Sequence, residues 1–271
     1  MEKRIVSIGG GNMGRAIIGG LLAQGYKKEL LSVVDPDPEA RSKFTQELVV
    51  TVEPALSDLE TVDIVLLAVK PQIMKAVIAE LAPSTIGGRP LFISIAAGIT
   101  TTQLSTWLGE DMPIVRVMPN TPSLVGSGAA ALFATANVGP GERQDAQAII
   151  SAVGIAEWVD DEDLLDVVTA LSGSGPAYFF LFIELMEKIA VELGLDSPLA
   201  RKLAIETAHG AALLARRSAD PPATLREQVT SPGGTTESAL KVLHNGDIET
   251  LLRKALKAAH QRSRDLGAGS G

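Results

Sequence analysis

Two short segments of this chain carry residue types that suit the binding of anions. One lies toward the C-terminal end: Val229-Thr230-Ser231-Pro232-Gly233-Gly234-Thr235-Thr236. Its paired glycines, Gly233 and Gly234, let the backbone turn tightly and bring N–H groups close to a ligand. Ser231, Thr235 and Thr236 add hydroxyls at the same place. The apolar-periodic stretch Ala239-Leu240 to Val242-Leu243 follows at once, so the segment reads as the entrance of a helix. Free N–H groups at a helix N-terminus are a ready site for a carboxylate or phosphate. The other segment, Gly9-Gly10-Gly11-Asn12-Met13-Gly14, is a glycine loop of different design. One chain with two such sites predicts a cofactor site and a substrate site.

Gly9-x-Gly11-x-x-Gly14 follows an apolar strand and opens a helix, the context that a dinucleotide fingerprint requires. Gly9 makes the tight turn, Gly11 admits the pyrophosphate, and Gly14 lets helix and strand pack closely. Asp35 closes the second strand. A carboxylate there accepts the ribose hydroxyls of NADH and repels the extra phosphate of NADPH, although Asp at such a position also caps a following helix. Arg41 is near enough in sequence to answer a phosphate if the loop bends toward it. The residues alone lean toward NADH. Ala68-Val69-Lys70-Pro71 and the Ala96–Gly98 turn lie at carboxyl ends of strands, where open α/β sheets bind ligands. Lys70 reads equally as a cleft residue or a surface lysine. Arg116 to Pro122 ends a later strand, and its Met118 and Asn120 are placed to line the nicotinamide side.

These residues need a scaffold, and the first half of the chain alternates strand and helix. Strands are predicted over 4–8, 30–34, 49–52, 63–69, 91–95, 113–118, 129–134 and 156–159, the buried ones as continuous apolar runs such as Ile64-Val65-Leu66-Leu67. Helices are predicted over 13–24, 39–48, 71–81, 101–108 and 143–151. This alternation predicts an α/β class: an N-terminal Rossmann-type, doubly wound, mostly parallel sheet. After Asp160 the pattern is helical only, over 163–171, 176–193, 198–217, 223–228 and 236–266. The domains are therefore placed at 1–160, dinucleotide-binding, and 161–271, all-α, with a flexible tail from Gly267 to Gly271. The Ala- and Gly-rich helices of the second half are apolar on more than one face, which predicts an oligomer.

Bulk properties exclude several classes. A net charge of -8 argues against nucleic-acid and anionic-membrane partners, which call for a basic face. Cysteine is absent, and His209, His244 and His260 lack ligand spacing, so no metal site is expected. The start runs straight into a strand without a signal-peptide pattern, and no apolar run reaches membrane-spanning length. A cytoplasmic location is expected.

Taken together, Ile8 to Met13, Val69-Lys70-Pro71-Gln72, Met118-Pro119-Asn120-Thr121-Pro122, Leu171 to Tyr178 and above all Ser231 to Thr236 resemble the pyrroline-5-carboxylate reductases. The resemblance runs over nearly the whole chain. It implies that the helical half dimerises through interlocking helices, with dimers assembling into rings such as decamers. It implies NADPH or NADH as cofactor, often NADPH, held by Gly9, Gly11, Asn12, Met13, Gly14, Asp35, Ala68, Val69, Lys70, Pro71, Ala96, Gly98, Met118 and Asn120. The implied substrate is a cyclic imino acid, lying between the nicotinamide and the Ser231–Thr236 segment, with both subunits of a dimer contributing. Its carboxylate would meet Ser231 and the N–H groups of Gly234, Thr235 and Thr236, with Gly233 shaping the turn. Thr236 would meet the ring nitrogen and relay its proton, unless it merely caps its helix. Ser174 and Gly175 line the substrate or simply start a helix. Two rivals are a β-hydroxyacid dehydrogenase and a non-catalytic dinucleotide sensor. The first lacks its lysine, since none occurs between Gly173 and Lys188, and the second has no use for Ser231–Thr236.

Overall fold

Runs of β-branched residues and leucine build the sheet because both of its faces are covered. The computed structural model describes residues 2–48, 50–55, 61–81, 89–109 and 111–269. Eight strands form one sheet: β1 Ile5–Ile8, β2 Leu31–Val34, β3 Thr51–Glu53, β4 Ile64–Leu67, β5 Leu91–Ser94, β6 Ile114–Met118, β7 Gly128–Ala134 and β8 Gly154–Trp158. Their order is β3-β2-β1-β4-β5-β6-β7-β8. Every pairing is parallel except β6 with β7, which are antiparallel and joined by a short 3-10 turn, Thr121–Val125. Val49, assigned from sequence to the third strand, lies outside the described residues, as do Ser270 and Gly271 of the tail.

Residue alternation sorts the core into two layers. Ile5, Ile64, Leu66 and Ile93 pack on one face with Ile17 and Ile18 of α1 (Asn12–Ala23) and Ile149 and Ile150 of α5 (Pro140–Ser151). Val6, Ile8, Val65, Leu67 and Phe92 pack on the other. There they meet Met74 and Ile78 of α3 (Pro71–Leu81) and Leu104 of α4 (Thr101–Leu108). α2 (Pro38–Leu48) contributes the buried Phe44. Near-complete burial on both faces explains why these strands read as unbroken apolar runs.

Beyond β8 no strand occurs among the described residues. α6 (Leu164–Val168) runs into a π-helical turn, Thr169–Gly173, and on into α7 (Gly175–Glu192). α8 (Ser197–Arg217) packs along α7, and α9 (Pro222–Gln228), α10 (Thr235–Asn245) and α11 (Ile248–Gly267) follow. The chain divides into two compact units: Met1–Ser174 with Ala259–Gly271, and Gly175–Ala258. The change of pattern near Asp160 thus marks the last strand, while the first unit continues through the π turn and takes in the end of α11.

Three sequence readings need correction. The single helix over 236–266 is two helices, broken where Gly246 ends α10 and Asp247 takes a left-handed φ of 55°. The signal was present, since Asn245-Gly246-Asp247 is turn-forming chemistry. Second, the gap expected over residues 172–175 narrows to a bend at Ser174, with helical backbone on both sides of it across the run Leu164–Glu192. Third, that run holds an 18-residue window of mean hydropathy 1.3, long and apolar enough to cross a membrane by length and composition alone.

Candidate active site

The glycine loop sits at the topological switch point, where β1 is flanked by β2 on one side and β4 on the other. Gly9 has φ 100°, and a side chain there would put Cβ 2.6 Å from the Ala68 carbonyl oxygen at the end of β4. A Cβ on Gly14 would fall 2.7 Å from the Gly9 oxygen, so strand, loop and helix can close only with glycine at both. Gly11 differs: nothing lies within 4 Å of where its Cβ would be. Its face is open, and it is the N-cap of α1, with Asn12 and Met13 in the first turn beside it. The residues therefore fit a dinucleotide pyrophosphate: two tight glycines, one open glycine, and helix N–H groups without acidic side chains in the first turn.

Asp35 is half-buried beside this loop. Its Oδ2 accepts the Gly10 N–H at 2.7 Å and its Oδ1 accepts the Asp37 N–H at 2.9 Å. Helix capping is not its role, because Asp37 caps α2 by accepting the Glu39 N–H at 2.9 Å. Arg41 donates to the carbonyls of Asp35 and Pro36 at 2.9 and 2.7 Å. Beside Gly10 lies a cavity of about 290 Å³ with Arg15, Asp37, Glu39 and Lys43 in its lining. Both of its cations are paired, Arg15 with Glu47 at 3.2 Å and Lys43 with Glu39 at 2.9 Å.

The other residues assigned to the cofactor also lie at strand ends in this unit. Ala68 bonds through its N–H to Ile8 O at 2.8 Å, with Val69 next to it. Lys70 is exposed, immediately before Pro71 opens α3. Ala96 and Gly98 are buried in the turn after β5, Gly98 with φ 75°. Met118 is half-buried at the end of β6. Asn120 is buried, and its amide is spent within the protein: Nδ2 donates to Ser172 O at 3.0 Å and Oδ1 accepts the Ala129 N–H at 2.9 Å.

In the helical unit, Ser231 to Thr236 forms a tight turn into α10. Gly233 has φ 72°, and a Cβ on Gly234 would collide with the Ser231 hydroxyl at 2.4 Å. Two amides are consumed locally. Gly234 donates to Ser231 O at 3.0 Å, and Gly233 donates to Glu237 Oε2 at 2.7 Å. The Gly234 N–H is thus not one of the free donors expected from sequence. The N–H groups of Thr235 and Thr236 remain in the first turn of α10, where a helix offers no internal acceptor. The helix N-cap is Gly234, so Thr236 stands at the second helical position and does not cap it. Glu237 was missed by sequence reasoning, although a Glu three residues after an N-cap is a recognisable signal. Ser174 and Gly175 follow the π turn, whose i→i+5 bond runs from Ser174 N–H to Thr169 O at 2.8 Å. Among the described residues, no three His, Asp or Glu side chains gather as a metal site.

A doubly wound sheet with a glycine loop fitted to a dinucleotide, followed by an all-helical region, defines an NAD(P)-dependent oxidoreductase with a separate helical unit. Residues 4–98 match the family model described as NADP oxidoreductase coenzyme F420-dependent, and residues 162–266 match pyrroline-5-carboxylate reductase dimerisation. The chain is 47% identical to pyrroline-5-carboxylate reductase of Pseudomonas aeruginosa over 97% of its own length and 96% of that protein's. Its structure is similar to a pyrroline-5-carboxylate reductase from Coxiella burnetii (TM-score 0.93, 41% identity, 98% and 99% of the two chains covered). It is also similar to the pyrroline carboxylate reductase of Plasmodium falciparum with NADP bound (TM-score 0.84, 31% identity, 98% and 99% covered). The chain belongs to the pyrroline-5-carboxylate reductase family.

Proposed function

We infer that this protein reduces 1-pyrroline-5-carboxylate to L-proline with NADPH or NADH, the last step of proline biosynthesis. The observation that carries the reading is the pairing of two anion-binding turns of different design with family similarity over nearly the whole chain. The bound dinucleotide supplies a hydride to the imine carbon. The imine nitrogen must be protonated for this transfer, because it then ends neutral rather than anionic.

The chain's own groups divide the work. Gly9, Gly11, Asn12, Met13 and Gly14 seat the pyrophosphate, and Asp35 addresses the adenosine ribose. Ala68, Val69, Lys70, Pro71, Ala96, Gly98 and Met118 line the remainder of the cofactor cleft. Ser231 and the N–H groups of Thr235 and Thr236 hold the substrate carboxylate, in a turn shaped by Gly233 and Gly234. The Thr236 hydroxyl hydrogen-bonds the ring nitrogen and passes its proton, while Ser174 and Gly175 complete the substrate side. No covalent intermediate with the protein is needed, so orientation and a protonated substrate supply most of the rate. Residues 1–160 serve the cofactor, and residues 161–271 serve the substrate and dimerisation.

The helical unit is dimeric, in keeping with its dimerisation family. Phe179, Phe180 and Leu181 of α7 are more than half exposed in the single chain. A cavity of about 390 Å³, lined by Tyr178, Phe182, Leu185, Val242 and Leu252 among others, is almost wholly apolar. A second copy covering these surfaces accounts for the apolar run Leu164–Glu192 without a membrane. Assembly of dimers into a decamer, a cytoplasmic location and the absence of nucleic-acid partners complete the proposal, the last supported by the net charge of -8.

The test is oxidation of NADPH and NADH followed by absorbance with pyrroline-5-carboxylate as substrate. Rapid oxidation with either cofactor is expected. A folded, cofactor-binding protein that oxidises neither overturns the reading and favours the hydroxyacid or sensor alternatives.

A further inference from the structure

Three side chains that alternate along one extended stretch all reach the same later segment of the chain. Arg116 and Met118 lie in β6, and Asn120 continues the extended backbone with φ -141° and ψ 166°. Alternate residues of an extended strand point to one side. Arg116 Nη1 donates to Glu162 Oε1 at 2.7 Å, and this pair is buried, with the arginine side chain 6% and the glutamate 18% exposed. The same carboxylate accepts the Thr101 N–H at 2.8 Å and the Thr101 hydroxyl. Met118 packs against Gly173, where a Cβ would fall 2.4 Å from its Cε. Asn120 Nδ2 donates to Ser172 O at 3.0 Å.

One edge of β6 thus grips the segment 162–173 at both ends. The gripped element is the π turn Thr169–Gly173, a helical irregularity of the kind that gathers at functional sites. The carbonyl of Ser172, at the end of this turn, has no i+4 partner because Pro176 carries no N–H, and Asn120 supplies the missing donor. The same amide is anchored at its other end by the Ala129 N–H on β7, so it cannot swing toward a ligand without breaking a bond on each side.

We propose that Asn120 is a positioning residue: it holds the π turn in the register that presents Ser174 to the substrate, rather than contacting the cofactor itself. This rests on the reading that Ser174 and Gly175 face the substrate. It also revises the assignment of Asn120 to the dinucleotide, while leaving Met118 free to serve both the cofactor side and the turn.

The test separates the two bonds of the amide. Asn120→Asp keeps an acceptor for the Ala129 N–H and sets a carboxylate oxygen against the Ser172 carbonyl. Hydrogen exchange of the peptide covering residues 169–175 is expected to accelerate in the free enzyme, since the turn loses its tether. The KM for pyrroline-5-carboxylate is expected to rise about tenfold through misplacement, while the NADPH Kd, read by nucleotide fluorescence without substrate, stays within about twofold. A tenfold weaker NADPH affinity, or unchanged exchange over 169–175, overturns the proposal. Faster exchange with an unchanged KM also overturns it, and places the failure in the substrate role of the turn rather than in the tether. Should the aspartate variant not fold, Asn120→Ser carries the same test, since its shorter side chain cannot span the Ser172 carbonyl and the Ala129 N–H together.

Discussion

The two glycine-bearing turns of this protein solve a similar problem with opposite means. The Gly9–Gly14 loop is held from outside: the Ala68 carbonyl crowds Gly9, Asp35 takes the Gly10 N–H, and β1 and β4 lie on either side of the switch point. The Ser231–Thr236 turn is held from within, by Gly234 N–H to Ser231 O and Gly233 N–H to Glu237. It remains exposed except for Gly234 and Thr236, which are half-buried. The first is pre-formed by a buried sheet and suits a large ligand that binds before any reaction. The second closes on itself with local bonds and leaves only a few donors, enough for one carboxylate and one nitrogen.

The comparison breaks most readily at Gly9. Gly9→Ala places a methyl 2.6 Å from a backbone carbonyl and forces a left-handed φ on a residue with a side chain. A strain of about 3 kcal/mol at the loop corresponds to about a hundredfold weaker NADPH binding. Equilibrium titration of nucleotide fluorescence measures this, and sedimentation should still show the dimer, because the helical unit does not include this loop. Loss of the dimer together with the cofactor would mean that the two turns are not separately supported.

Thr236→Ala cuts at the other turn. With Thr236 at the second helical position, its loss costs the helix no cap. The expected result is a kcat/KM lower by about ten- to a hundredfold, the size of one positioned hydrogen bond or weak general acid, with NADPH affinity and melting temperature unchanged. An unaltered kcat/KM removes Thr236 from the reaction and leaves Ser231 and the N–H groups to account for catalysis.

The same contrast explains what could be read from sequence. The sheet was legible because burial on both faces writes itself as apolar runs, and each strand expected from sequence has its counterpart in the fold. The glycine loop was legible because Gly9 and Gly14 answer contacts that any βαβ unit makes. Less was legible where a residue's role depends on a distant partner. Nothing around Asn120 announces Ser172, 52 positions away. A π turn has no pattern of its own, so Thr169–Gly173 read as a helix end and Pro176 as a helix start, when only a bend at Ser174 separates the turn from α7. At Gly246-Asp247 the turn signal was overridden by strong helical periodicity on each side.

The smallest expected effect tests what Asp35 contributes beyond shape. Its two oxygens already accept N–H groups from Gly10 and Asp37, which braces the glycine loop against the turn before α2. A carboxylate retains further lone pairs for ribose hydroxyls, and its charge opposes a 2′-phosphate nearby. Arg41 is occupied by two carbonyls, and Arg15 and Lys43 by glutamates, so a phosphate would have to draw a cation out of an existing bond. Asp35→Asn removes the charge while the amide oxygen can still accept the Gly10 N–H. The ratio of NADPH to NADH affinity should then rise about fivefold, the effect of about 1 kcal/mol of partly screened repulsion. Fluorescence titration of both nucleotides against the parent and variant proteins gives this ratio directly. A ratio that does not move, with both affinities weakened alike, makes Asp35 a brace for the loop and leaves the choice of cofactor to the charges around the neighbouring cavity.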